Sequence, residues 1–194
     1  MDSTLTPGFH QPVHDSIKVF RSVADAMAHP GEIRHVYARP PAPAQLMPAA
    51  AALCLTLLDF ETPLWLQTSH ASVADYLRFH CGCPVIAETA QAAFALITNT
   101  ATMPGLSAFN AGEPQYPDRS AMLMIQVESL SNASGVRLTG PGVREATHLE
   151  VAGVSAAYWR QIQSSHAEFP CGVDIVFIWG ERIAAVPRTT RVEC

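Results

Sequence analysis

The sequence predicts an α/β fold: one domain over residues 1–194, with a mixed central β-sheet flanked by helices. A length of 194 residues suits one domain with a sizeable core. Segments with apolar residues at helical spacing alternate with short apolar segments typical of strands. Near the C-terminus a strand pair and a hairpin are also expected, which favours a mixed sheet over a purely parallel one.

The first helix is predicted from His14 to His29, because apolar residues recur there at spacings of three and four. Pro30 and Gly31 end it, since proline disfavours helix in the preceding residue and glycine suits the left-handed cap. A short strand over 32–37 and a Pro/Ala connector over 38–45 follow. The apolar stripe of the helix consists of Val13, Ile17, Phe20, Ala24 and Met27.

The middle of the chain alternates between helix and strand. Residues 46–59 are rich in alanine and leucine and predict a buried helix, with Pro48 tolerated in its first turn. A brief strand over 63–67 precedes a helix that Ser72 caps and that runs to His80. The next strand is predicted over 93–98.

The remaining elements begin with a long irregular loop over 99–118, a kind of loop that is often functional or partner-facing. Two strands, over 121–127 and 136–139, are predicted to pair around a turn at 131–135. A helix over 155–166 comes next. The predicted hairpin closes the fold, with strands over 173–179 and 182–186 joined at Gly180-Glu181.

Composition excludes several classes of protein. Hydrophobic residues make up 48% and charged residues 15%, below the roughly 25% usual for a lone domain, so we expect a permanent partner. The net charge is −5 and the basic residues are scattered, which argues against a nucleic-acid binder. No run of about 20 apolar residues predicts a membrane span.

The expected location is the cytoplasm. Residues 1–12 show no signal-peptide pattern and are expected to be a flexible N-terminus. The five cysteines are odd in number and irregularly spaced, as expected of reduced thiols.

We expect no metal and no pyridoxal phosphate. His80, Cys81 and Cys83 are the densest set of soft ligands, but one residue separates the cysteines and no second pair follows. Cys171 is interpreted as a structural thiol rather than a nucleophile. A pyridoxal enzyme needs a Schiff-base lysine, and the only lysine is Lys18, on a predicted surface helix.

Two segments carry candidate anion-binding groups. Glycines in the segment Leu138–Gly142 would let backbone N–H groups approach an anion, although a simple tight turn is the interpretation we favour. The segment Pro187–Arg191 offers two guanidinium groups and two hydroxyls, which suit a phosphonate oxygen or a carboxylate of a neighbouring subunit. An equal alternative is that these arginines are simply solvated.

The predicted anion- or partner-binding surface comprises Arg78, His80, Arg188, Thr189 and Thr190. We expect Arg188→Ala to impair activity while leaving the fold intact.

An ordered set of short motifs spans nearly the whole chain and resembles the H-subunit family of carbon–phosphorus lyase. The end of the chain is the most specific part, since Gly180–Arg182 is followed by Pro187–Thr190 and then Val192-Glu193. The other matching segments are Phe20-Arg21, Ala26-Met27, Pro30-Gly31, Leu57–Asp59, Thr62–Leu66, Arg78–His80, Leu138–Gly142, Phe169-Pro170 and Gly172–Asp174.

The resemblance implies a role in phosphonate catabolism. Subunits G, H, I and J of this machinery form a core complex, which with an ATP-binding-cassette subunit joins methylphosphonate to C1′ of ATP and releases adenine. The product is ribose 1-methylphosphonate 5-triphosphate. The H subunit is implied to form homodimers in isolation and to resemble pyridoxal-dependent transferases in fold without their cofactor.

The resemblance implies no catalytic residues for this chain, because the nucleosidase chemistry is attributed mainly to the I subunit. Two roles stay open: a purely structural subunit with no ligand site of its own, and a subunit that contributes phosphonate- or nucleotide-binding side chains. A free-standing enzyme is the least expected role, since the sequence shows no carboxylate pair, triad or metal signature.

Overall fold

A computed structural model describes residues 6–67 and 70–194. Within these ranges the chain forms one α/β domain with a seven-stranded mixed sheet, a three-stranded sheet and four α-helices. The α/β class and the mixed central sheet are therefore as predicted. The strands are β1 (Arg34–His35), β2 (Leu64–Gln67), β3 (Val85–Ile86), β4 (Phe94–Ile97), β5 (Met122–Gln126), β6 (Ser129–Thr139), β7 (Thr147–Ala152), β8 (Asp174–Trp179), β9 (Arg182–Val186) and β10 (Arg191–Glu193). The helices are α1 (Pro12–Ala28), α2 (Pro48–Leu57), α3 (Ala71–Cys81) and α4 (Ala156–Ser165).

The central sheet has the strand order β1-β9-β8-β5-β4-β2-β3. Strands β3, β2, β4, β5 and β8 are parallel, and β9 pairs antiparallel with both β8 and β1. Its middle strands are buried on both faces, so they read as continuous apolar runs such as Leu123, Met124 and Ile125.

Helices α1, α2 and α3 cover one face of the central sheet. Their buried side chains pack with sheet residues such as Leu64, Met124 and Val176 in one apolar cluster. Gln126, buried at the end of β5, fixes the entry to α2: its Oε1 accepts a hydrogen bond from the Met47 N–H at 2.6 Å, and its Nε2 donates to the Gln45 carbonyl at 3.0 Å.

Helix α4 and the small antiparallel sheet β10-β6-β7 cover the other face. Tyr158 and Trp159 of α4 are buried there, against sheet residues that include Phe177. The Ser155 hydroxyl caps α4 by accepting a hydrogen bond from the Tyr158 N–H at 3.2 Å. The domain thus has three layers, and each face of the sheet has its own covering.

One predicted strand pairing is wrong. The strands predicted at 121–127 and 136–139 do not pair, because β5 lies in the central sheet between β4 and β8, whereas β6 pairs with β7 and β10 in the second sheet. The predicted turn at 131–135 lies inside β6, where the register against β7 shifts between Ser131 and Val136. Sequence reasoning also missed β3, β7 and β10.

Most of the predicted apolar stripe of α1 points outward, although Met27 packs against the helical cluster. Val13, Ile17 and Phe20 are 71%, 45% and 58% exposed, while Val19, Val23 and Ala26 are the residues of α1 that pack into the core. The helix therefore carries apolar residues on two faces, and the larger side chains lie on the face that the domain leaves uncovered.

The predicted flexible N-terminus lies partly outside the described residues. Within the described part, Phe9 packs against the helical cluster and Pro12 already belongs to α1. The flexibility of residues 1–12 stays a prediction. No helix in the described ranges is both long and apolar enough to cross a membrane.

Candidate anion- and partner-binding sites

Arg78 and His80 lie near the C-terminal end of α3. The Arg78 guanidinium is half exposed, and its Nη1 lies 3.8 Å from Asp75 Oδ1. The His80 Nε2 lies 2.8 Å from the Thr6 carbonyl oxygen, and its ring packs against Tyr76. Because a carbonyl only accepts, Nε2 carries the proton and donates it. His80 therefore ties the N-terminal segment to α3.

Arg188 follows β9 and uses its donors inside the domain. Its backbone N–H donates to Asp174 Oδ1 at 2.9 Å, and its Nη2 lies 3.0 Å from Asp174 Oδ2. Its Nη1 donates to the carbonyl oxygens of Pro117 and Gly172. The side chains of Arg188 and Asp174 are only 19% and 14% exposed. This arginine therefore joins β8 to the loop that ends at Pro117, and its charge is balanced within the chain.

Thr189 and Thr190 face different surroundings. Thr190 is 2% exposed, its N–H donates to the Pro187 carbonyl at 2.9 Å, and its buried hydroxyl has no hydrogen-bond partner among the described residues. Thr189 instead lines a cavity of about 370 Å³. The other residues around this cavity are Gly140, Pro141, His166, Phe169 and Arg191.

The structure does not bring the five predicted residues onto one surface. Tyr76 and Leu77 anchor α3 in the helical cluster, whereas Val186 and Val192, on either side of Arg188–Thr190, belong to the cluster on the opposite face of the sheet. Four strands also separate β9 from β3, the strand that follows α3, which corresponds to roughly 24 Å between the two strands. Arg78 and His80 are therefore one site at most, and the 187–191 segment is another.

The match to a known family covers almost the whole chain. Residues 7–193 match the family described as bacterial phosphonate metabolism protein (PhnH). The chain belongs to the PhnH family.

Two curated relatives agree with PhnH membership. The alpha-D-ribose 1-methylphosphonate 5-triphosphate synthase subunit PhnH of Rhizobium meliloti (strain 1021) is 34% identical over 187 residues, which cover 95% of this chain and 94% of the relative. A putative C-P lyase subunit protein, HtxG of Stutzerimonas stutzeri, is 33% identical over 81 residues, which cover 42% of each chain. The recognition from short motifs is confirmed.

In this PhnH chain the thiols of the 81–83 segment pack inside the helical layer. Burial raises the pKa of the Cys54 thiol, and a hydrogen bond between Cys81 and Cys83 raises the pKa of Cys81 and lowers that of Cys83. The Cys81 Sγ also lies 3.5 Å from the Cys54 carbonyl oxygen. No group of three or more His, Cys, Asp or Glu side chains in the described ranges is arranged to hold a metal ion. The absence of a bound metal stays a prediction.

Sequence reasoning named Arg191 in the donor-rich segment Pro187–Arg191 but left it out of the predicted five-residue surface, and it missed His166 as a cavity residue. Arg191 belongs to the segment that the sequence singled out, so its guanidinium was a visible signal. His166 was considered only as a neighbour of Cys171, and the structure brings it to Arg191 instead, 3.4 Å from Arg191 Nε. No local pattern predicts that contact, because 25 residues separate the two.

Proposed function

We propose that this chain is a subunit of a carbon–phosphorus lyase complex that forms alpha-D-ribose 1-methylphosphonate 5-triphosphate in phosphonate catabolism. The observation that carries the proposal is the 34% identity, over 95% of the chain, to a relative that is named as a subunit of that synthase. In the proposed reaction, the complex joins methylphosphonate to C1′ of ATP and releases adenine. The partners are the G, I and J subunits, and the compartment is the cytoplasm.

The chain is not catalytic alone in this proposal, and it binds no pyridoxal phosphate or metal. Its single lysine, Lys18, is 59% exposed on α1, with Nζ 3.5 Å from Asp15 Oδ1. A Schiff-base lysine instead lies inside a cofactor site. We also propose that the fold is a form of the pyridoxal-dependent transferase fold that lacks the cofactor.

The exposed face of α1 supports a subunit role. Val13, Ile17 and Phe20 are large apolar side chains that are 45% to 71% exposed on this face. Lone domains rarely leave such residues clustered, and a covered interface removes them from water. We propose that a second copy covers this face, because a closed two-fold dimer, the commonest oligomer of soluble chains, would bury the stripe of one copy against that of the other.

The test is reconstitution. The tagged chain is co-expressed with the G, I and J subunits, and adenine release from ATP is measured with methylphosphonate and the ATP-binding-cassette subunit present. The expected result is co-purification in a defined ratio and adenine release that disappears when this chain is omitted. A chain that fails to co-purify, or whose omission leaves adenine release unchanged, would contradict the proposal.

A purely structural role is the second candidate. The chain would then be needed for assembly, but none of its own side chains would contact substrate. The ion pair of Arg188 with Asp174 favours this role, because a guanidinium already balanced inside the domain has little left to offer a ligand. Whether Arg78, His80, Thr189 or Thr190 binds an anion or a partner stays a prediction, and variants assayed in the reconstituted complex decide it.

A further inference from the structure

Three segments from distant parts of the chain meet at the cavity beside Thr189. The turn at Gly140-Pro141 follows β6, His166 and Phe169 follow α4, and Thr189 and Arg191 flank the start of β10. The pairing of β10 with β6 sets this arrangement, since Arg191 lies opposite Thr139. A Cβ on Gly140 would lie only 3.1 Å from the Thr189 carbonyl, so glycine allows the two backbones to approach.

Arg191 is held in place by a neutral imidazole. His166 Nδ1 lies 3.3 Å from the Arg188 carbonyl oxygen, and the Arg191 Nε–H points to His166 Nε2 at 3.4 Å. A carbonyl only accepts and a guanidinium only donates, so the imidazole carries its proton on Nδ1 and accepts at Nε2. This contact orients the guanidinium and leaves both of its terminal NH₂ groups available.

The charge of Arg191 is not balanced by any described residue. The ion pairs of the described ranges place Asp174 with Arg188 and Glu193 with Arg137, and none includes Arg191. The hydroxyl of Thr189 likewise has no hydrogen bond there. The cavity therefore holds a free bidentate donor and a hydroxyl, and it contains no carboxylate.

We propose that this cavity binds a small phosphorus oxyanion, of the phosphonate or phosphate-ester class, through Arg191 and Thr189. A planar guanidinium fork matches two oxygens of such a group, and a hydroxyl serves a third. The volume of about 370 Å³ exceeds what a bare anion needs and lies within the range of ligand sites. Phe169, 56% exposed at the cavity wall, faces the organic substituent.

A larger cavity, of about 530 Å³, lies between α4 and the loop around Leu106 but fits an anion less well. Its arginine, Arg160, shares the cavity with the carboxylate of Glu168. The Oε1 of Gln161 is already occupied by the Leu106 N–H, at 2.9 Å. The lining without a carboxylate singles out the smaller cavity as the anion site.

Binding of inorganic phosphate and methylphosphonate to the full chain alone tests the site, by isothermal titration calorimetry. We expect dissociation constants of about 1 mM or tighter for the wild type and at least about tenfold weaker binding for Arg191→Ala, because charge-assisted hydrogen bonds are lost. Thr189→Val should weaken binding severalfold. Arg182→Ala is the matched control, since it removes the same charge from the distant β8–β9 turn.

Three results would overturn the site: no binding by the wild type, equal affinities for Arg191→Ala and Arg182→Ala, or competition by acetate as strong as by phosphate. The last would assign the cavity to a carboxylate, such as an acidic side chain of a partner.

Phenylphosphonate should bind severalfold tighter than methylphosphonate, and Phe169→Ala should abolish the difference. Equal affinities of the two phosphonates for the wild type would overturn the role of Phe169.

The choice of phosphorus oxyanions rests on the proposed function, but the two can fail separately. A chain that binds phosphate through Arg191 and does not assemble with the other subunits keeps the site and refutes the proposed function. A chain that assembles and supports adenine release, yet binds neither probe, refutes the site alone.

Discussion

Asp174 contacts Arg188 through both carboxylate oxygens: Oδ1 accepts the Arg188 backbone N–H at 2.9 Å, and Oδ2 lies 3.0 Å from Nη2. The pair lies where β8 begins and β9 has just ended, next to the carbonyls of Pro117 and Gly172. It thus fastens three segments at one end of the strands β8 and β9.

Arg188→Ala should therefore destabilise the domain, contrary to the expectation from the sequence that the fold would stay intact. Removing one partner of a largely buried ion pair leaves the other charge unpaired, which costs about 3 kcal/mol in free energy of unfolding. Urea denaturation measures the loss. Arg78→Ala is the control, since its exposed pair with Asp75 should contribute less than about 1 kcal/mol. Equal losses for the two variants would contradict the structural role of Arg188.

Gly142→Ala should destabilise the domain more than Gly180→Ala does. Both glycines have positive φ, +82° and +59°, so each substitution carries a backbone cost of about 1–2 kcal/mol. A Cβ on Gly142 would also overlap the Ala28 carbonyl oxygen and lie 2.9 Å from Pro30 Cδ, whereas nothing lies within 4 Å of one on Gly180. Thermal melts of the two variants compare the costs, and a larger loss for Gly180→Ala would refute the predicted overlap.

Phe20→Asp should convert the proposed homodimer into a monomer without unfolding it. Phe20 is 58% exposed at the centre of the α1 stripe, and a carboxylate buried in a dimer interface would lose its hydration. Light scattering at micromolar concentration measures the mass, and circular dichroism checks the fold. Phe60→Asp is the matched control, since Phe60 is 73% exposed outside α1. A wild-type chain that is already monomeric would contradict the dimer.

Tyr76→Phe should change how stability depends on alkaline pH. Burial raises the pKa of Tyr76 to about 12, whereas the unfolded chain ionises near 10. Between these values the unfolded state releases a proton that the folded state retains. Stability from Tyr76 is therefore fully present below pH 10 and is lost as the pH rises to 12, by up to about 1.4 kcal/mol per pH unit.

Denaturation at several pH values between 9 and 12 follows this loss. The Tyr76→Phe variant should be less stable at pH 9, because the phenol donates to the Pro41 carbonyl at 2.9 Å, but its stability should fall less steeply above pH 10. Tyr116→Phe, at a half-exposed position, should keep the wild-type slope. Parallel slopes for Tyr76→Phe and the wild type would contradict the raised pKa.

Local patterns predicted the helices well and the strand partners poorly. The alanine-rich run that contains Pro48–Leu57 folds as the buried helix that its composition indicates. Strand β5, in contrast, was paired with its neighbour in sequence, although its partners are β4 and β8. Residues 174–179 lie about fifty positions beyond β5, and no local signal specifies a pairing over that separation.

The candidate site was predicted only in part, again because local sequence does not specify contacts between distant segments. The residue types of Pro187–Arg191 marked a segment rich in donors, and Thr189 does line a cavity. Which arginine turns inward depends on the carboxylate of Asp174, which is contributed by another strand. The sequence shows both guanidinium groups but does not show which one is neutralised.

The two outermost strands of the central sheet, β1 and β3, are each only two residues long. A short edge offers few unpaired backbone groups, so a foreign strand finds little to hydrogen-bond with. Such an edge protects against uncontrolled stacking of sheets between molecules. It also means that neighbours in an assembly recognise this domain by the side chains on its layers, and substitutions on the helix surfaces, rather than insertions at the sheet margins, will separate one interface from another.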